Sequence, residues 1–237
     1  MIGFDFTARV RARHRRASFI DSLIAGSPDL RRAPAEVQAM LAIARELDGN
    51  GPRMSLQTFP EVLACDIADG AQILNTTTET IICPDYTFAG NDPRLRPGAA
   101  FRHTAYFDVS NVATTPGTLT FRQRWGGVAG TAMLTGPAIA LDTVARSNFS
   151  GRIEILTVWR TIGSAGTAFS MGFVILGDLP VESAANIHPY MLPQSAPAVT
   201  SSLDTTSSKA LSLTAQFSVL TATTQLTNHL RILESLN

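Results

Sequence analysis

The chain has 237 residues, 45% of them apolar and only 16% charged, with a formal net charge of zero. That balance excludes a disordered chain, leaves ample material for a packed core, and gives no whole-molecule attraction to nucleic acid or an anionic membrane. Lys209 is the only lysine, so the positive charge is almost all arginine, and five arginines (Arg9, Arg11, Arg13, Arg15, Arg16) fall within the first sixteen residues.

In chain order, the first sixty residues differ from the rest. From Phe6 to Ile24 the sequence is rich in arginine and alanine and poor in turn residues, which predicts a helix that Gly26-Ser27-Pro28 stops. A second helix is predicted from Pro34, with Val37, Leu41, Ala44 and Leu47 at i, i+4, i+7 and i+10 and Gly49-Asn50-Gly51 as its left-handed exit. The N-terminus has no continuous apolar h-region and no cleavage site, and no apolar run reaches the ~18 residues of a membrane span. The chain therefore reads as one made in the cytoplasm, with no membrane partner.

After Pro60 the period changes to two. Short strands are expected at 71–75 and 79–83, followed by 98–110, where Phe101, His103, Ala105, Phe107 and Val109 share one face. At 117–125 the aligned set is Leu119, Phe121, Gln123 and Trp125, and the Thr-Thr-Pro-Gly between these two strands predicts a hairpin connection. A strand near 132–134 precedes a pair at 152–161 and 168–176, joined across Gly163-Ser164-Ala165-Gly166, with Ile153, Ile155, Thr157 and Trp159 on the first strand's inner face. Residues 177–200 carry four prolines and read as a long loop, a place for partner contacts or a plain crossover. The closing segment has Leu211, Leu213, Ala215, Phe217 and Val219 on one face, then a hydroxyl-rich turn and a last alternating strand around Leu226, Leu230 and Ile232. Short strands with regular turns and no intervening helices argue a sandwich or barrel.

Chemistry-bearing patterns are sparse. The four histidines (His14, His103, His188, His229) stand at no zinc-site spacing, and no nucleophile elbow, phosphate loop or dinucleotide fingerprint occurs. Asp66 with Asp69 and Asp85 with Asp92 lack the ordered acidic loop of a calcium site. The expectation is therefore no enzyme, no metal and no cofactor. Cys65 and Cys83 read as buried free thiols, and Trp125 and Trp159 as core rather than a glycan platform.

Several segments together carry a resemblance: the threonine cluster Asn75 to Thr80, the strands GAAFRHTAYFDVS and TLTFRQRWGG, the pair RIEILTVWRTIGSAGTAFSMGFVIL, and the closing stretch from Leu203-Asp204-Thr205-Thr206 onward. In order and texture these resemble the jelly-roll structural proteins of tailed bacteriophages, a group of head decoration, fibre and tail-associated proteins. The resemblance covers residues 71–237 and leaves the N-terminal region outside it. It implies a mainly β chain, an antiparallel jelly-roll β-sandwich at 61–237, behind a helical, arginine-rich anchor at 1–60. It further implies a virion protein that docks on the major capsid protein or another virion protein and associates with itself, as a trimer. The docking residues would be Arg9, Arg11, Arg13, Arg15 and Arg16 with Val37, Leu41 and Leu47; nucleic acid is the less favoured use of those arginines. One alternative is a receptor- or carbohydrate-binding module of a tail or fibre, with His188, Tyr190 and Met191 in the contact loop; exposed aromatics within 177–200 would mark it. A second is a coat protein that encloses nucleic acid, and a hydrolase ranks last because no triad can be named.

Overall fold

A computed structural model describes residues 60–177, 189–196 and 198–236. The predicted N-terminal helices, the arginine cluster, Val37, Leu41, Leu47 and His188 lie outside the described residues. The described chain is all strand and connection: β1 (Glu61–Cys65), β2 (Ile73–Leu74), β3 (Thr80–Ile81), β4 (Tyr86–Phe88), β5 (Ala100–Asn111), β6 (Thr118–Trp125), β7 (Thr131–Thr135), β8 (Ile139–Ala140), β9 (Arg146–Thr161), β10 (Gly166–Leu176), β11 (Pro189–Leu192), β12 (Val199–Leu203), β13 (Lys209–Phe217) and β14 (Gln225–Ser235). These form two antiparallel sheets in a sandwich-like arrangement. The larger, of eight strands, runs β1-β14-β5-β9-β10-β11, with β12 also on β10 and β2 on β14. The smaller, of six, runs β3-β13-β6-β7, with β4 on β13 and β8 on β6.

The period-2 sets become the facing layers of the core. Phe101, His103, Ala105, Phe107 and Val109 are buried, as are Leu119, Phe121, Gln123 and Trp125, and Ile153, Ile155, Thr157 and Trp159. Burying alternate residues of a strand is how a one-sided sheet removes apolar area from water, at about 25 cal/mol per Å². The β9–β10 hairpin forms as its turn residues dictate, with Gly163 at φ 115°, a conformation that residues with a Cβ rarely adopt.

Four sequence expectations are corrected. The Thr-Thr-Pro-Gly segment is not a hairpin: β5 pairs with β9 and β14 in the larger sheet while β6 pairs with β13 in the smaller, so residues 112–117 cross from one layer to the other. The alternation expected of the last strand is broken by a bulge. Asn228 opposes Phe107 and Leu230 opposes Tyr106, leaving His229 as the extra residue. Beyond it the phase reverses, so Arg231 and Leu233 are buried while Leu230 and Ile232 turn outward. Cys65 is exposed; Cys83 alone is buried, and both thiols are free. Finally, the proline-rich stretch 177–200 contributes two short edge strands, β11 and β12, both on β10; Pro189 stands first in β11, a place where a missing N–H costs little.

Between the layers the core is divided. One apolar cluster centres on Phe107, Phe121, Ile153, Ile155 and Phe217. The other is built around Phe88, Phe101, Trp125, Trp159 and Leu233. A polar row separates them, one residue from each of several strands: His103, Gln123, Thr157, Ser170 and Arg231, all buried. The Thr157 hydroxyl donates to Gln123 Oε1 at 2.8 Å and lies 2.9 Å from Ser170 Oγ.

Candidate functional site

Three polar arrangements stand out among the described residues, and each is structural in its geometry. The first is the buried end of the polar row. Arg231 donates to Asp66 Oδ1 at 2.7 Å and to the Pro84 carbonyl at 2.5 Å, and His103 Nε2 lies 3.9 Å from Cys83 Sγ. A histidine beside a cysteine invites comparison with a nucleophilic pair, which needs thiolate and imidazolium. Here burial pushes the Cys83 thiol up to about 12, and burial together with the Arg231 charge holds the His103 ring down to about 3. At neutral pH both groups are uncharged, so this pair has no reactive thiolate.

The second is the outer face of the smaller sheet. Glu79, from the threonine cluster, accepts from Arg124 Nε at 2.5 Å and Nη2 at 2.7 Å, from Arg122 Nη1 at 3.2 Å and from the Thr214 hydroxyl at 2.5 Å. Burial alone would raise this carboxyl, but the hydrogen bonds from Arg124 and Thr214 and the two arginine charges outweigh it and hold it below its usual range. Gln216 joins through Arg122 and the Thr77 carbonyl. This face is therefore a mutually engaged polar network laid across β3, β13 and β6.

The third surrounds the bulge. His229 Nδ1 lies 3.0 Å from Asp69 Oδ1 and Nε2 lies 3.4 Å from Asp108 Oδ2, and the hydrogen bond to Asp69, then that to Asp108, raises the ring's pKa. The carboxylates considered as calcium ligands are mostly taken up in this way by cations: Asp66 by Arg231, Asp69 by His229, and Asp92 by Arg94 at 2.6 Å.

The outer face of the larger sheet is different in kind. Register places four rows across it. Leu230, Tyr106, Arg152, Ile175 and Pro189 form one; Ile232, Thr104, Glu154, Phe173 and Met191 the next. Glu234, Arg102, Leu156 and Met171 form the third, and Ala100, Val158, Phe169 and Val199 the fourth. On the β9–β10–β11–β12 half these are mostly apolar, with Leu156 39%, Met171 36%, Met191 52% and Val199 40% exposed. Charge enters as paired ions, Arg102 with Glu234 at 2.7 Å and Arg152 with Glu154. The Arg152 guanidinium also lies 5.5 Å from the Tyr106 ring centre and 5.8 Å from that of Phe173, and Arg160 stands 5.2 Å from Phe169.

Of the site residues named from sequence that fall among the described residues, Met191 joins this face. Tyr190, one position earlier on β11, points inward opposite Val174 and packs against the core. The outward members of β9 and β10 were missed, although they left a signal. Residues 153–159 (IEILTVW) and 168–176 (AFSMGFVIL) are apolar at both parities, the pattern of a strand covered on both sides. No family model, curated protein or solved structure matches this chain.

Proposed function

We propose that the protein is a non-enzymatic structural component of a tailed-phage virion, a capsid decoration or head-fibre protein whose jelly-roll sandwich associates with itself. Residues 1–60 would then supply the anchor to the major capsid protein through Arg9, Arg11, Arg13, Arg15 and Arg16 and the Val37–Leu41–Leu47 stripe. The observation that carries this reading is the unequal finish of the two outer faces. One sheet ends in an engaged polar network, the other in exposed Leu156, Met171, Met191 and Val199. Large apolar patches of this kind mark assembly surfaces on soluble proteins. The two-sheet architecture and the Asp204-Thr205-Thr206 turn also support it. The Asp204 carboxylate accepts from the Thr206 and Ser207 hydroxyls, and the Thr205 hydroxyl bonds Gly163 of the β9–β10 turn. Trp125 Nε1 donates to the Asp204 carbonyl at 2.8 Å, so this turn ties β12–β13 to both sheets.

The receptor- or glycan-binding alternative asks for an exposed aromatic within 177–200, and Tyr190, the one Phe, Tyr or Trp there, is turned inward. The test of the proposed function is particle composition: density-gradient-purified phage from the strain that carries the gene, analysed by quantitative mass spectrometry. The chain should band with intact heads at a fixed ratio to the major capsid protein. Its absence from particles, or its presence only with the packaged genome after the shell is opened, would refute the decoration reading.

A further inference from the structure

We propose that the outer face of the eight-stranded sheet is the contact between two copies of this chain, packed sheet on sheet about a two-fold axis. The inference deepens the self-association in the proposed function and rests on that part of it alone.

Three observations carry it. The first is the two-parity apolar run. Strands β9 and β10 have inner residues filling the core, yet their outer residues Leu156, Val158, Phe169, Met171, Phe173 and Ile175 are apolar as well. A strand with only one buried face gains nothing from apolar residues on the other, so this composition is that of a sheet covered twice. Second, the area is adequate. From the level of Ala100 to that of Tyr106 the face is seven residues long, about 24 Å, and it crosses five strands, about 24 Å. The product is roughly 570 Å² per partner in projection, about 1,140 Å² for the two copies, against the ~1,000 Å² a specific interface has to clear.

The third observation is charge. The rows hold Arg102 beside Glu234 and Arg152 beside Glu154, both signs on one surface with the members of each pair adjacent, and Arg160 stands just beyond them against Phe169. A nucleic acid or a uniformly acidic shell would call for one sign. A second copy turned by 180° instead meets the same mixture, and a two-fold contact requires a surface complementary to itself. Stacked sheets lie about 10 Å apart; Leu156 and Met171, neighbours in register at the middle of the face, would fill that gap.

The experiment is light scattering coupled to size exclusion over a dilution series of the full chain, with Leu156→Glu, Met171→Glu and, as a control on the β13–β14 connection, Leu220→Glu. The wild type should run at twice 25.3 kDa. Each face substitution acts twice across the axis, so the dissociation constant should rise on the order of a hundredfold or more, while L220E leaves it unchanged. A wild type that stays monomeric overturns both this contact and self-association. A wild-type trimer, or a dimer indifferent to L156E and M171E, overturns this contact and leaves self-association standing. If a face variant loses its tryptophan near-ultraviolet circular dichroism, hydrogen exchange of the wild type replaces it. Protection of 154–158 and 169–173 should grow with protein concentration, and concentration-independent exchange there overturns the contact.

Discussion

Burying a histidine without charge makes the fold sensitive to mild acid, and His103 isolates that effect. Its ring is 1% exposed and its pKa is held down to about 3, against about 6.5 in an unfolded chain. The folded pKa is depressed, so between the two values the unfolded chain binds the proton that the native state refuses. Stability is then full above the unfolded value and falls as pH drops from about 6.5 toward 3. Integrating that difference from pH 7.5 to pH 5 gives a loss of about 2 kcal/mol from this residue. The perturbation is His103→Phe, close in size and unable to titrate. It also removes Nδ1, which has no hydrogen-bond partner among the described residues. Urea denaturation followed by tryptophan fluorescence, on wild type and variant at pH 7.5, 6 and 5, reads the difference. Glu79 and Asp92, whose pKa values are lowered, also lose stability on acidification, but they do so equally in both proteins and cancel. The wild type should lose about 2 kcal/mol more than H103F. Parallel pH profiles, agreeing within about 0.5 kcal/mol at every pH, would refute a neutral buried imidazole.

The other predictions concern packing and the two polar networks. Thr157→Val takes the hydroxyl away from Gln123 and Ser170 and should lower stability by about 1–3 kcal/mol in urea melts, because buried polar atoms lose their partner. Glu79→Gln leaves Arg122 and Arg124 without their carboxylate; a loss of about 1–3 kcal/mol at pH 7, shrinking as pH falls through the depressed Glu79 value, is expected from the same assay. Gly151→Ala would set a Cβ 2.3 Å from Phe107 Cε2 and 2.9 Å from Leu176 Cδ2, and calorimetry should show a lowered Tm corresponding to about 1–3 kcal/mol of overpacking.

The inner face of the sandwich was legible because period-2 alternation is a direct image of a half-buried strand. Even the polar row could be read, since His103, Gln123 and Thr157 each occupy an inward place in an otherwise apolar set. Pairing was not legible. A crossover such as 112–117 and a hairpin turn use the same residue types, and alternation is identical whichever sheet receives the next strand. The bulge at His229 defeated the reading of β14 because one extra residue reverses every position after it without changing composition. β11 and β12 escaped because each is short and bordered by proline or serine, and edge strands tolerate residues that central strands exclude. The candidate docking face escaped for another reason: attention to the better-alternating parity of β9 and β10 hides the fact that the second parity is apolar too.

That second parity links the sequence to the proposed assembly. The two sheets share a core yet differ in what they present outside. On β6 and β13 the outward side chains include Thr120, Arg122, Arg124, Thr214 and Gln216, with Arg122, Arg124 and Thr214 gathered on Glu79 and Gln216 on Arg122, which leaves little apolar area to cover. On β9 and β10 Arg152 is paired with Glu154 and lies beside the Tyr106 and Phe173 rings, and Arg160 lies beside Phe169, while the aliphatic tips of Leu156 and Met171 stay open. Covering such a face removes open apolar side chains from water, and the Arg102–Glu234 and Arg152–Glu154 ions it would also desolvate already have partners, which costs less than burying unpaired charges. Desolvating the Glu79 network would strip two arginines that gain nothing from an apolar partner. The asymmetry therefore predicts which face the proposed assembly uses: the larger sheet is covered, and the smaller sheet stays toward solvent.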